Sequence, residues 1–209
     1  MTYRHARTVV ITGAASGLGR AFALAWAGKG FEVGILDINM EGARETLKMI
    51  EKTGGHGEVL RCDVRNLDEV QAAADHFYYR WGAVGVLINN AGVGGGGAVG
   101  EVPIADWETV IGIDLWGVVY GCHVFIPHMK EQGGGHIVNV SSLAGLISAP
   151  RFASYNMSKA AVVALSQTLK TELASSGIGV TVVCPPVVKT DILENTLGMV
   201  DEVAYDIAG

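Results

Sequence analysis

The chain has 209 residues, 49% hydrophobic and 17% charged, with a formal net charge of −6. That length fits one α/β domain with a substantial core, and the acidic balance argues against a nucleic-acid partner, whose binding needs a basic face. No apolar run reaches the roughly 18 uninterrupted residues expected of a membrane span, and the polar, basic start at residues 1–8 lacks a secretory pattern.

Read in chain order, the pattern alternates between strand and helix. Thr8–Thr12 is a short β-branched strand. Residues 18–29 follow as a helix with an apolar face of Leu18, Phe22, Ala25 and Trp26. Residues 31–36 make a second strand and 40–53 a second helix. Residues 57–62 make a third strand, and Leu67–Trp81 the helix after it. A fourth strand, 84–89, is apolar up to its closing asparagine. The segment 104–132 contains a long helix with Asp106 as its expected N-cap. Residues 136–140, a helix over 154–175 and Ile178–Val183 complete the series. Residues 192–209 are weakly periodic and are expected to form a helical loop over the site.

Strands without polar alternation are buried on both faces, the mark of a parallel sheet covered by helices. Six such repeats predict an α/β fold: a Rossmann-type doubly wound parallel sheet in a three-layer α/β/α sandwich. Nothing in composition marks a second domain, so residues 1–209 read as one dinucleotide-binding domain. Cys62, Cys122 and Cys184 are odd in number and far apart, and read as buried thiols in a reducing cytoplasm. The six histidines, of which His123 and His128 are the nearest pair, lack a carboxylate at ligand spacing, so no metal is expected.

Glycine is the outlier, at 29 residues. The first cluster lies where the first strand enters its helix: Gly13, Ala14, Ala15, Ser16, Gly17, Leu18 and Gly19. Gly13 permits a tight turn, Gly17 a close backbone approach to a pyrophosphate, and Gly19 packing of helix on strand. The helix start then offers free N–H groups and partial positive charge to phosphates. Asp37, 24 residues after Gly13, ends the second strand. A carboxylate there accepts hydrogen bonds from ribose hydroxyls and repels a 2′-phosphate. No Arg or Lys stands at 14–18 or 38–40, so NAD is expected over NADP. The run Gly94–Gly97 reads either as a spacer before the fourth helix or as a flap over the substrate.

Tyr155 and Lys159 are four apart at the start of a helix and share one face. A free phenol is a poor base at neutral pH, and a neighbouring ammonium favours its ionised form. Such a pair can take a proton from an alcohol as hydride leaves, or return it in reduction. Ser142, just past the fifth strand, can hydrogen-bond the substrate oxygen, with Ser141 a competing candidate. In a doubly wound sheet these positions meet beyond the strand C-termini.

Taken together, these motifs resemble the short-chain dehydrogenase/reductase family in its compact single-domain type, over essentially the whole chain. The resemblance implies that Ser142, Tyr155 and Lys159 are the catalytic residues, with Ser142 and Tyr155 on the substrate. It also implies that Tyr155 and Lys159 contact the cofactor. By the same resemblance Asp63 and Val64 face the adenine, and Asn90, Ala91 and Gly92 close the fourth strand beside the cofactor. Val188 and Thr190 hold the nicotinamide carboxamide. Homodimers or homotetramers through the helices near 105–131 and 154–175 are implied too.

Three departures accompany the resemblance. Asp114 stands where the family often has a proton-relay Asn, and its charge can stabilise the Lys159 ammonium. Pro185-Pro186 replaces a usual Pro-Gly. The family also commonly continues through a further helix and strand beyond the point corresponding to Gly209. The expected activity is hydride transfer between NAD(H) and a secondary alcohol or ketone. The substrate is expected to be apolar because Leu143, Leu146, Ile147, Phe152, Ile192, Leu193 and Leu197 fall in the expected pocket segments. The rival readings are a non-catalytic NAD-binding scaffold on the same fold and a sugar epimerase or dehydratase.

Overall fold

The computed structural model describes residues 6–186 together with 196 and 197. The strands are β1 (Thr8–Thr12), β2 (Glu32–Asp37), β3 (His56–Arg61), β4 (Val86–Asn89), β5 (Gly135–Val140) and β6 (Ile178–Val183). They pair in parallel throughout, in the order β3-β2-β1-β4-β5-β6. The helices are α1 (Gly17–Ala27), α2 (Met40–Lys52), α3 (Leu67–Trp81), α4 (Ile104–Ile111), α5 (Gly117–Glu131) and α6 (Ala153–Glu172). This is the Rossmann-type doubly wound sandwich that the alternation predicts.

Side-chain alternation along β1 divides the core. Val9 and Ile11 pack with Ala23 of α1 and Ala43 and Ile50 of α2 on one face. Val10 joins Phe77 of α3, Phe125 and Met129 of α5 and Val162 of α6 on the other. All five residues of β1 are buried, as a central parallel strand requires. From β1 the chain winds outward through β2 and β3, then returns to pair β4 on the other side of β1. The strand order reverses there, which opens a crevice beyond the carboxyl ends of β1 and β4.

Several expectations need correction. The segment 104–132 is not one regular helix, because a π-helical turn at Gly112–Trp116 separates α4 from α5. Asp106 is not the N-cap. Pro103 takes that position at φ −56°, and Asp106 sits in the first turn, where its charge complements the helix dipole. In α1 the buried stripe is Gly19, Ala23 and Ala27, whereas Ala25 is exposed and Leu18, Phe22 and Trp26 flank the contact. Small residues let this helix lie close to the sheet. Strand β3, at one margin of the sheet, is only half-buried along its middle. Burial pushes the Cys62 and Cys122 thiols up to about 12, while Cys184 is only half-buried.

By length and composition alone, the continuous helical stretch Ile104–Glu131 is long and apolar enough to cross a membrane. Its Val118, Cys122, Val124, Phe125 and Met129 are instead buried in the core, so it is the central helix of this face.

Candidate active site

The phosphate loop is held in shape by the segment after β4. Thr12 Oγ1 accepts hydrogen bonds from the backbone N–H of Asn90 (2.9 Å) and of Ala91 (3.0 Å). The Asn90 side chain donates back to the carbonyls of Thr12 (2.9 Å) and Gly13 (3.1 Å). A Cβ at Gly13, whose φ is +65°, would lie 2.7 Å from Ala91 Cα, and one at Gly19 would lie 2.6 Å from Asn90 Nδ2. Asn90 and Ala91 thus brace the glycine loop. Thr12, the last residue of β1, is the other half of that brace.

Helix α1 begins at Gly17 without a side-chain cap and without a carboxylate in its first turn. Its neighbours α2 and α3 are capped by Asn39 and Asn66. The start of α1, with Ser16, Gly17, Leu18 and Gly19, therefore presents backbone N–H groups at the crevice. At the end of β2, the Asp37 carboxylate accepts from Ala15 N and Asn39 N, both at 2.9 Å. The guanidinium of Arg20 is engaged by the Ala15 carbonyl, Thr46 Oγ1 (2.9 Å), the Gly42 carbonyl (3.3 Å) and Glu45 Oε2 (3.2 Å). Arg20 ties the loop to α2.

Asp63 and Val64 follow β3. Arg65 grips the Asp63 carboxylate, with contacts of 2.6 and 3.0 Å, and its hydrogen bond holds that acid below its ordinary value. Val64 is buried against the first residue of α5, where a Cβ on Gly117 would lie 2.8 Å from Val64 Cγ2. The pair is placed between β3 and the π-helical turn.

The ionisable residues meet where α6 passes the ends of β4 and β5. The Lys159 ammonium lies 5.5 Å from the centroid of the Tyr155 ring and 3.1 Å from Asp114 Oδ2. Lys159 also donates to the Val140 carbonyl at 3.4 Å. The other Asp114 oxygen accepts from Val93 N at 2.8 Å. The Lys159–Asp114 contact is ionic in distance but lacks hydrogen-bond alignment at Asp114 Oδ2. Burial drives the Asp114 carboxyl up against the opposing pull of the Lys159 ammonium and the Val93 N–H. Burial pulls the Lys159 ammonium down, but Asp114 and the Tyr155 oxygen outweigh it, and the net direction is up. Gly92 leaves room for the Lys159–Asp114 pair, since a Cβ there would lie 3.2 Å from Lys159 Nζ.

The two serines after β5 separate cleanly. Ser141 is buried, and its hydroxyl donates to the Lys159 carbonyl at 2.8 Å. Ser142 is half-buried and caps the 3-10 turn Leu143–Gly145, accepting from Ala144 N at 3.2 Å. Leu143, Leu146 and Ile147 on that turn are exposed at 42%, 60% and 66%. Pro185 is part of the same corner, its carbonyl accepting from Leu143 N at 2.9 Å. Val188 and Thr190, and with them Ile192, Leu193 and most of 192–209, lie outside the described residues.

The run Gly94–Gly97 lies between β4 and α4, as a spacer would, but it is also bonded to remote segments. It forms parallel bridges from Gly95 to Leu197 and from Gly97 to Phe152. No pattern within the run foretells these contacts, because both partners are remote in sequence.

Comparison with known proteins bears on the family and the fold. The family model described as short chain dehydrogenase matches residues 7–200. The mycobacterial protein named oxidoreductase EphD (Mycobacterium tuberculosis) is 38% identical over 189 residues, which cover 90% of this chain but 32% of EphD. The chain thus spans about a third of that relative's length. The protein named oxidoreductase SadH, also from Mycobacterium tuberculosis, is 38% identical over 191 residues, covering 90% of this chain and 69% of SadH. A crystal structure of a short-chain dehydrogenase/reductase from Burkholderia phymatum in complex with NAD superposes with a TM-score of 0.89 at 39% identity. It covers 93% of this chain and 70% of that one.

Proposed function

The chain belongs to the short-chain dehydrogenase/reductase family of oxidoreductases, and on that premise we propose that it transfers hydride between NAD(H) and an apolar secondary alcohol or its ketone. The observation that carries this reading is the buried Lys159 ammonium set 5.5 Å from the Tyr155 ring, beside the end of β5 that bears Ser142.

A dinucleotide fits the crevice. The uncapped start of α1 offers N–H groups to a pyrophosphate. Gly13 and Gly19 keep clear the space that side chains would fill. Asp37 takes the adenosine ribose hydroxyls, and its charge disfavours a 2′-phosphate. Arg20 is committed to the loop, Thr46 and Glu45, which supports NAD over NADP. Asp63 and Val64 would face the adenine, and Asn90, Ala91 and Gly92, just past β4, would lie beside the cofactor. Val188 and Thr190 hold the carboxamide. The NAD-bound relative from Burkholderia phymatum lends this assignment weight. The bound nicotinamide supplies the hydride acceptor or donor.

The chain's residues do the rest. Ser142 Oγ hydrogen-bonds the substrate oxygen. Tyr155 takes the hydroxyl proton as hydride departs, and returns it in reduction. Lys159 holds positive charge beside the Tyr155 ring and would bond the nicotinamide ribose. Asp114 fixes Lys159 and, through Val93 N, the strand end that faces it. The exposed Leu143, Leu146 and Ile147 support an apolar substrate. Exposed Trp116 and Met157 on the helical faces support a homo-oligomer, which sedimentation would reveal.

The test is a fluorescence titration with NADH and, separately, NADPH, followed by turnover of secondary alcohols. Binding of NADH in preference to NADPH, with alcohol-dependent NADH formation, is expected. Binding without turnover for any alcohol or ketone would favour a scaffold.

A further inference from the structure

The run Gly94–Gly97 stands directly after Val93, which is bonded to Asp114, and it ends beside Phe152 at the N-cap of the Tyr155 helix. Its backbone is bonded on both sides. Gly96 N donates to the Leu197 carbonyl (2.8 Å), and Leu197 N donates to the Gly94 carbonyl (3.0 Å). Gly97 N donates to the Arg151 carbonyl (2.7 Å). Three segments remote in sequence are therefore stitched together at the mouth of the site: the exit from β4, the entry to α6, and the chain after β6.

The stitching depends on missing side chains. A Cβ on Gly94 would lie 2.8 Å from Thr196 Cβ and 3.0 Å from its Cγ2. A Cβ on Gly95 would lie 2.5 Å from Ser154 Oγ and 2.8 Å from Val110 Cγ2. Gly97 adopts φ +114°, and Arg151, which accepts its N–H, sits at φ +65°. A non-glycine residue in that region costs about 1 kcal/mol or more, so the bridge holds Arg151 against its own preference.

We propose that Gly94–Gly97 is a positioning strap that registers the Thr196–Leu197 segment and the Arg151–Phe152 segment against the Tyr155 site, and so sets the depth of the substrate wall. The strap rests on the reading of Ser142, Tyr155 and Lys159 as the reacting site. It touches no reacting atom, and it acts by fixing the walls between which the substrate must fit. Its effect belongs in substrate affinity, not in cofactor affinity.

The experiment compares wild type, Gly94→Ala and Gly94→Ala/Thr196→Gly, the last of which removes every Thr196 atom that the new methyl would meet. Amide hydrogen exchange is read at Gly96, Gly97 and Leu197, NADH binding by fluorescence, and KM and kcat with cyclohexanol and NAD+. In wild type the three amides are protected. In Gly94→Ala the Leu197 amide loses protection and KM for cyclohexanol rises about fivefold or more, with NADH affinity within about twofold. The double variant recovers most of both losses. Unprotected amides in wild type, an unchanged KM in Gly94→Ala, or a parallel loss of NADH affinity would each overturn the strap. A wild type that neither binds NADH nor oxidises any alcohol would sink the function proposed above instead. The exchange data would then decide the strap alone.

Discussion

Lys159 Nζ and Asp114 Oδ2 lie 3.1 Å apart with side-chain exposures of 4% and 0%, so a buried ion pair stands behind the Tyr155 ring. Both partners come from irregular or crowded backbone. Asp114 lies in the π-helical turn, and Lys159 sits one turn after the phenol it faces. π-turns inside helices recur at functional sites. Here the turn carries the carboxylate on the side that faces α6.

Replacing the carboxylate by an amide tests what its charge does. Asp114→Asn keeps the Val93 N–H acceptor but removes a negative charge from beside Lys159 and Tyr155. Loss of that charge removes the largest influence that raises the Lys159 ammonium, leaving burial to pull it down. The maximal rate stays within about tenfold of wild type. Steady-state kinetics of both proteins check this, and a loss far beyond tenfold would contradict it.

Asp114→Ala removes the partner altogether. The Lys159 ammonium is then buried without a counter-charge, a change that costs about 3–5 kcal/mol in other proteins. Thermal unfolding at neutral pH should show a large fall in Tm. The fall should shrink in Asp114→Ala/Lys159→Met, which removes the stranded charge.

Tyr155→Phe deletes the hydroxyl proposed to carry the proton and little else, because the ring is kept. Turnover should fall by about 10²–10⁴-fold or more. NADH titration should give an affinity close to wild type. Retained turnover would move the acid/base role elsewhere.

The adjacent serines should fail in opposite ways. Ser141→Ala loses a buried hydrogen bond to the Lys159 carbonyl, which keeps its place in the α6 ladder, for about 0.5–1.5 kcal/mol of stability. Ser142→Ala should leave Tm nearly unchanged, since its hydroxyl serves only one turn N–H at 3.2 Å, and should lower kcat/KM. Paired melts and kinetics distinguish the two.

Asp37→Ala should narrow the discrimination between NADH and NADPH by about tenfold or more, mainly by admitting NADPH. Part of the effect will come from the loop, because the Ala15 N–H loses its acceptor. Competitive titration of the two dinucleotides measures the ratio directly.

Much of this architecture is legible in the sequence because its signals are local. Buried parallel strands such as Thr8–Thr12 announce themselves as unbroken apolar runs, and Leu67–Trp81 begins at an Asn cap and ends at a left-handed glycine. The four-residue spacing of Tyr155 and Lys159 is likewise a local fact. The π-helical turn was not legible, since Gly112–Trp116 has ordinary helix-compatible residues and no Pro to mark the irregularity. The N-cap fell to Pro103 instead of Asp106 because proline's fixed φ suits a helix entrance and no polar side chain was needed there. The Asp114–Lys159 distance and the bridges of Gly94–Gly97 depend on segments far apart in sequence, and no period or composition within either segment encodes them.

The corner that bears Ser142 is pinned from beneath, by Ser141 to the Lys159 carbonyl and by Leu143 N to the Pro185 carbonyl. Its outward side chains, Leu143, Leu146 and Ile147, carry none of that anchorage. Surface changes of this kind usually alter stability by less than about 0.5 kcal/mol. Substitutions at these three positions therefore change the apolar surface beside Ser142 at little cost to the fold.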